Sequence, residues 1–441
     1  MIELSAIDNR DLTIGIVGLG YVGLPTAIGF HDAGFRVMGF DISSEVINSL
    51  KRQENPGNDP AFSGEIPNDS NWEVSVDPTK IIPKCDVIIV TVPTPVDSGN
   101  RPNLSYVKSA GVTIFDNINL EKKPVIILES TVYPGVTREV WHPLLDERGL
   151  EDGRDVHLAY CPERFVPGDP NRGVRQVPRV VGASQKRVAN NLVNLYQTLT
   201  KGSVNAVSSI EVAEASKVVE NVQRDLNIAL VNELALILPE IGLDVEEVLE
   251  AASTKWNFHR YSPGIGVGGH CIPVDPYYLI QKANAAGAPV DLISSARMVN
   301  SNMPIQVAKR VIKKVETITE SIDGLRVLIL GWSYKPRISD TRETPAKPLS
   351  QIFIDKGLEV FVWDPYISED DLPQNTKLVE SVFNEKCDII ILCTAHPEII
   401  DIDWEKLRNS SGLGIIFDGR RVLEKETLEN YGWIYTAVGK P

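Results

Sequence analysis

The run Pro263 to Leu279 reads P-G-I-G-V-G-G-H-C-I-P-V-D-P-Y-Y-L and sets Cys271 in a glycine-dense stretch, with Asp275 four residues on. A thiolate adds readily to a carbonyl carbon, and a nearby carboxylate can accept a proton or hold a water, so the pair suits covalent catalysis. Glycine and proline interrupt any helix or strand on the way to the cysteine, and ordering such a loop costs entropy that a ligand commonly offsets. The other reading of the same residues is a tight turn around an inert buried thiol, since free cysteine is among the most buried residue types. His270 is a further candidate base, weakened because adjacent side chains often diverge.

A second group lies upstream. From Ile210 to Ile241 apolar residues recur at helical spacing with no internal glycine, and Lys217, Asn221 and Arg224 fall at i, i+4 and i+7 on one face. A cation and an amide donor one turn apart suit stabilisation of a developing oxyanion. Asn227 and Asn232 add amides to the same segment. A solvated polar stripe would explain the pattern as well, except that Lys217 and Asn221 sit among Ala, Val and Leu, where unpaired polar groups are costly.

The elements that must position these groups begin at Leu12–Val17, an apolar strand that stops at G-L-G-Y-V-G (Gly18, Gly20, Tyr21, Val22, Gly23) and runs into a helix. A second strand, Arg36–Phe40, ends on Asp41. Strand, GxGxxG, helix, strand and acid together form the dinucleotide-binding fingerprint: a tight turn at Gly18, backbone approach at Gly20 and close helix packing at Gly23. Phosphates would sit at the helix N-terminus, and Asp41 would accept the ribose hydroxyls and repel a 2′-phosphate, favouring NAD over NADP. Strands at Cys85–Val92 and Val125–Glu129 end in P-T-P and S-T-V-Y-P-G, placing Thr94 and Thr131 on the cofactor edge, or as turn hydroxyls capping their own backbone.

Near Leu325 the sequence V-L-I-L-G-W-S-Y-K-P starts another strand ending at glycine, followed by E-V-F-V-W-D-P. C-D-I-I-I-L-C-T-A-H-P from Cys387 echoes C-D-V-I-I-V-T-V-P-T-P from Cys85. The expected fold is α/β: two Rossmann-like doubly wound domains at 1–209 and 319–441, joined by a central helical region with a long helix at 210–318. Gly331 stands without its fingerprint partners, so the second domain is expected to bind something other than the dinucleotide.

With 441 residues, 43% hydrophobic and 23% charged, the chain has the composition of a soluble globular protein of two or three domains. No apolar stretch is long enough to span a bilayer and the N-terminus lacks a signal peptide's pattern, so a cytoplasmic location is expected. Five scattered cysteines indicate neither a disulfide framework nor a metal site. A formal net charge of -15 argues against nucleic acid and anionic membrane as partners.

With G-L-G-Y-V-G, P-T-P, E-S-T-V-Y-P-G, C-P-E-R, K-V-V-E-N, G-G-H-C-I-P-V-D-P, G-W-S-Y-K-P and D-T-R-E-T-P in this order, the sequence resembles the UDP-glucose/UDP-N-acetylhexosamine 6-dehydrogenase family from about Leu12 to Arg420. The resemblance implies NAD-dependent four-electron oxidation of a sugar C6 alcohol to a carboxylate. Its E-N-V-Q-R-D-L-N-I-A, C-P-E-R-F-V-P-G and G-G-H-C-I segments look more like the branch acting on UDP-N-acetylmannosamine or UDP-N-acetylglucosamine than the UDP-glucose branch. The latter typically has a second glutamate four positions after the first; here Pro167 stands there, so that role is not carried over.

The implied roles follow. Cys271 forms a thiohemiacetal and then a thioester, Lys217 and Asn221 stabilise the oxyanion, and Asp275 or Glu163 activates the hydrolytic water. Lys335, beside Tyr334, and Arg420 bind the nucleotide; Arg164, Phe165 and Arg224 line the sugar, and Arg342 reaches the cofactor. Gly264, Gly266, Gly268 and Gly269 let backbone pass close to uridine and sugar. Lys255, Asn257 and Arg260 are of the kind the family lends to a neighbouring subunit, implying a homodimer or a larger assembly built on dimers. The competing readings are a UDP-glucose 6-dehydrogenase, a two-electron dehydrogenase of the β-hydroxyacid type, and a non-catalytic NAD-binding module.

Overall fold

The computed structural model of the chain describes residues 3–56, 64–97, 99, 101–165, 169 and 171–441. Pro167 lies outside them. The chain divides into two compact units, Met1–Glu220 with Tyr277–Ala288, and Asn221–Pro276 with Pro289–Pro441.

The first unit is built on eight strands: Thr13–Val17 (β1), Arg36–Phe40 (β2), Trp72–Ser75 (β3), Val87–Val90 (β4), Val125–Leu128 (β5), His157–Tyr160 (β6), Arg179–Ala183 (β7) and Val204–Ala206 (β8). They lie in the order β3-β2-β1-β4-β5-β6-β7-β8, parallel except where β7 meets β6 antiparallel. β4 reads V-I-I-V and β5 V-I-I-L with every residue buried, as strands covered on both faces require. Alternate residues feed two cores: Val87 and Ile89 join one cluster, Ile88 and Val90 the other. The strand expected from Cys85 starts later because Cys85 closes a 3-10 turn, its N–H donating to the Ile82 carbonyl at 3.1 Å. Helix α1 is Gly23–Asp32, following β1 directly. The order reverses between β1 and β4, and ligands of such sheets bind outside the strands' carboxyl ends at that point.

The helical region comprises Ile210–Glu240 (α2, 31 residues), Asp275–Ala285 (α3) and Asp291–Glu316 (α4, 26 residues). In the second unit, residues of α2 and α4, among them Val231, Ala235, Met303 and Val307, share a core with Val327 and Ile329 of its sheet. That sheet has six parallel strands: Arg326–Leu330 (β9), Glu359–Trp363 (β10), Thr376–Leu378 (β11), Ile389–Leu392 (β12), Ile415–Asp418 (β13) and Ile434–Ala437 (β14), ordered β11-β10-β9-β12-β13-β14. Helix α5, Ala346–Asp355, returns from β9 to β10. The molecule is thus α/β, with two parallel-sheet Rossmann-like domains and a helical region joining them. Among the described residues no helix is long and apolar enough to cross a membrane.

Candidate active site

In the first unit the fingerprint glycines take up three distinct local roles. Gly18 adopts φ +94, a left-handed conformation that glycine tolerates without a Cβ penalty. A Cβ on Gly23 would lie 1.8 Å from the Gly18 carbonyl oxygen, so only glycine lets α1 start so close to β1. Around Gly20 an added Cβ would meet nothing within 4 Å, leaving open space in front of the helix N-terminus. Tyr21 is exposed and Val22 half-buried beside it. The half-buried Asp41 carboxylate accepts the N–H groups of Leu19 at 2.7 Å and Ser43 at 2.9 Å, which brings it to the turn. This open cradle with an acid at its rim fits an adenine dinucleotide. Thr94 and Thr131 are half-buried beyond β4 and β5; the Thr94 carbonyl accepts the Tyr278 hydroxyl at 2.5 Å, and Ser130 donates to the Val92 carbonyl at 2.6 Å.

Glu163 and Lys217 form an ion pair at 3.7 Å, their side chains only 14% and 9% exposed. Glu163 Oε1 is buried with no hydrogen-bond partner among the described residues. Arg164 is paired with Glu220, and Phe165 is buried. Beneath them lies a group that sequence reasoning passed over. Glu129 accepts Arg179 Nη1 at 3.0 Å and the Tyr196 hydroxyl at 2.6 Å, with both charged side chains fully buried. Burial pushes the Glu129 carboxyl up, with Arg179 opposing. The only sequence signal was a glutamate closing an apolar strand, and its partner lies 50 residues away.

In the second unit the Cys271 loop is pinned by its neighbours. The Cys271 carbonyl accepts the N–H groups of Val274 at 3.1 Å and Asp275 at 2.8 Å, so the thiol residue and the first residue of α3 form one turn. Asn221 Nδ2 donates to Asp275 Oδ2, both residues buried. Cys271, Asp275 and Asn221 are thereby gathered from two distant segments. Lys217 and Asn221, one turn apart on α2, are 7% and 8% exposed, which disposes of the solvated-stripe reading for them; Arg224 is exposed and keeps it. Cys85, Cys161, Cys387 and Cys393 are buried, each pushed up to about 12 by burial, whereas Cys271 is partly accessible. The inert-thiol reading therefore suits those four cysteines.

A Cβ on Gly264 would stand 3.1 Å from Arg420 Nη1, and Gly268 and Gly269 pack against the Tyr334 side chain. Arg420 donates from Nε to the Cys393 carbonyl at 2.6 Å, and burial pulls its guanidinium down from the usual range. Lys335 is half-buried next to Tyr334. Arg342 holds Asp340 through Nε at 2.9 and 3.1 Å, contacts His270 Nδ1 at 3.0 Å, and its carbonyl accepts the Gly269 N–H at 3.0 Å. His270 is thus engaged with Arg342. Lys255, Asn257 and Arg260 are exposed, Arg260 pairing with Glu246.

An open dinucleotide cradle, a second parallel sheet and a partly accessible thiol fit an oxidoreductase. The NAD binding domain of the UDP-glucose/GDP-mannose dehydrogenase family matches residues 12–200, its central domain residues 211–302 and its UDP binding domain residues 328–425. The chain belongs to that family and uses NAD. It is 37% identical to a UDP-N-acetyl-D-glucosamine 6-dehydrogenase of Pseudomonas aeruginosa, over 95% of this chain and 98% of the relative. It is 34% identical to a UDP-N-acetyl-D-mannosamine dehydrogenase of Pyrococcus horikoshii, over 97% and 99%. The solved structure of a UDP-D-ManNAc dehydrogenase from Pyrococcus horikoshii superimposes with a TM-score of 0.87 at 32% identity, covering 97% of this chain and 99% of that one.

Proposed function

We propose that the protein oxidises the C6 hydroxyl of a UDP-N-acetylhexosamine, UDP-ManNAc or UDP-GlcNAc, to the uronate in two successive two-electron steps, with Cys271 as the covalent nucleophile. The observation that carries this reading is the partly accessible Cys271 in one turn with Asp275, which Asn221 engages from α2. The substrate class rests on the names of the relatives and on the G-G-H-C-I segment.

NAD, when bound, accepts the hydride of each oxidation. Lys217 and Asn221 stabilise the alkoxide that precedes each hydride loss, a buried cation and amide being most effective where water is excluded. The Cys271 thiolate adds to the aldehyde carbon, and loss of the second hydride from that carbon leaves a thioester. Water then attacks the acyl carbon, the C–S bond breaks, and acid and thiol are released. Glu163, with Oε1 unoccupied by any hydrogen bond among the described residues, takes the proton of that water; Asp275 is already engaged by Asn221. Gly264 and Arg420 accommodate the nucleotide with Lys335 and Tyr334, while Arg164, Phe165, Arg224 and Gly268 face the sugar. Arg342 and Thr131 complete the cofactor contacts.

A second copy of the chain would cover the apolar stripe of α2 formed by Val212, Val219, Leu230 and Ile237, each 45–54% exposed, and receive Lys255, Asn257 and Arg260. Five scattered cysteines, four of them buried, fit a reducing cytoplasm.

The test is to count NADH formed per uronate with UDP-ManNAc, UDP-GlcNAc and UDP-glucose. About two NADH per sugar and preference for an acetamido sugar are expected. A ratio near one would sink the four-electron reading, and preference for UDP-glucose would sink the substrate assignment.

A further inference from the structure

Behind the Cys271 loop the second unit holds a chain of buried polar side chains that the roles above leave unused. The Gly264 N–H donates to Asn232 Oδ1 at 2.9 Å, and Asn232 Nδ2 donates to Asn300 Oδ1 at 2.9 Å. Asn300 Nδ2 in turn donates to Asp225 Oδ1 at 2.7 Å and to the Asp225 carbonyl at 3.0 Å. Arg297 Nη1 donates to the same Asp225 oxygen at 2.6 Å and reaches the Ile272 carbonyl at 3.5 Å. Asp225, Asn232, Arg297 and Asn300 are each no more than 4% exposed.

Two asparagines in series can run their hydrogen bonds in either sense, because each amide offers both a donor and an acceptor end. Here every donor from Gly264 inward points toward Asp225. The Gly264 N–H can only donate, and the Asp225 carbonyl and Oδ1 accept, so the two ends together fix the sense in which Asn232 turns its oxygen to Gly264. Gly264 and Ile272 bracket the loop that carries Cys271, and Asp225 lies one turn beyond Asn221 on α2. The helix that supplies the amide for Asp275 therefore also supplies the anchor for the loop.

We propose that Asp225 is a positioning residue for the thiol loop. Its carboxylate holds one end at Gly264 through Asn300 and Asn232, and the other at Ile272 through Arg297. This keeps Cys271 in register with Asn221 and Asp275. The proposal rests on the reading of Cys271 as nucleophile.

The test compares Asp225→Ala, which removes the oxygen that both Asn300 and Arg297 donate to, with Asp225→Asn, whose amide oxygen can still accept both. Asp225→Ala should lower kcat about tenfold to hundredfold, leave the KM for NAD within about twofold, and speed iodoacetamide modification of Cys271 about tenfold as the loop loosens. Asp225→Asn should keep most of the wild-type kcat. Wild-type kcat and alkylation rate in Asp225→Ala would overturn the proposal, as would an Asp225→Asn variant of wild-type thermal stability that loses as much kcat as Asp225→Ala. Because the alkylation is read without turnover, it separates a misplaced loop from a wrong nucleophile; the latter would show as unimpaired uronate formation by Cys271→Ala.

Discussion

The first strand–turn–acid unit occurs twice in the chain, and the two copies are built alike yet put to different use. Gly18 and Gly331 both adopt left-handed backbone, φ +94 and +83. Each donates its N–H to the last residue of the neighbouring strand, Phe40 and Trp363, at 2.9 Å. The next N–H, of Leu19 or Trp332, then meets an aspartate, Asp41 or Asp364, at 2.7 Å. Past that point they diverge. In the first copy α1 begins at Gly23 and Asp41 stays half-buried beside the open space at Gly20. In the second, a loop intervenes before α5, and Asp364 is 5% exposed with Ser333 N–H at 2.9 Å, Ser333 Oγ at 3.1 Å, His396 Nε2 at 3.1 Å and Tyr366 N–H at 2.9 Å on its oxygens. Burial pushes the Asp364 carboxyl up, but the His396 hydrogen bond and charge, together with the Ser333 and Tyr366 N–H groups, outweigh it and hold the group below its usual range. One backbone device thus leaves its acid half-buried beside open space in the first sheet and knots strand ends together in the second, where the family's UDP binding domain matches.

The contrast breaks most sharply at Asp364. Asp364→Ala should cost about 3–5 kcal/mol, since it strips a buried network of its acceptor, with NAD affinity unchanged; a denaturation midpoint like the wild type would remove the distinction. Gly23→Ala drives a Cβ into the Gly18 carbonyl and should weaken NAD binding about tenfold to hundredfold, measured by titration, with little loss of UDP binding. Asp41→Asn should reduce NAD affinity about tenfold and narrow the gap to NADP, costing less than about 1 kcal/mol in unfolding experiments. If it destabilised the fold as much as Asp364→Ala, the two aspartates would be doing the same job. The smallest effect concerns acid. Because the folded pKa of Asp364 lies below 3.8, its contribution is present above pH 3.8 and is lost as pH falls below that value. Asp364→Asn should therefore flatten the stability profile on that side, read as unfolding free energy between about pH 5 and pH 3.

Much of the dinucleotide cradle was legible because its chemistry is local. Gly18, Gly20, Gly23 and Asp41 lie within one strand–helix–strand unit, and Gly18 through its left-handed backbone and Gly23 through its contact with the Gly18 carbonyl answer constraints set inside that unit. The second sheet's lack of a full fingerprint was legible on the same ground. Lys217 and Asn221 could be placed on one helical face from spacing alone, and the apolar neighbours argued for their burial. Arg224 satisfied the same spacing yet is exposed, because spacing alone does not say how wide the covered face is. Asp275 was paired with Cys271 by separation in sequence, but its engagement by Asn221 joins positions 54 residues apart, which no periodicity encodes.

By itself the sequence determined the parallel strands, the glycine turn, the acid that follows it and the presence of one cysteine among glycines, since all of these express backbone sterics and hydrophobic period. Only the tertiary structure decided which cysteine is accessible, that Asp364 is sealed while Asp41 is open, and that Asp225 gathers the threads behind the thiol loop. Those outcomes depend on which distant donors meet a buried carboxylate, and burial makes each such meeting obligatory without naming the partner.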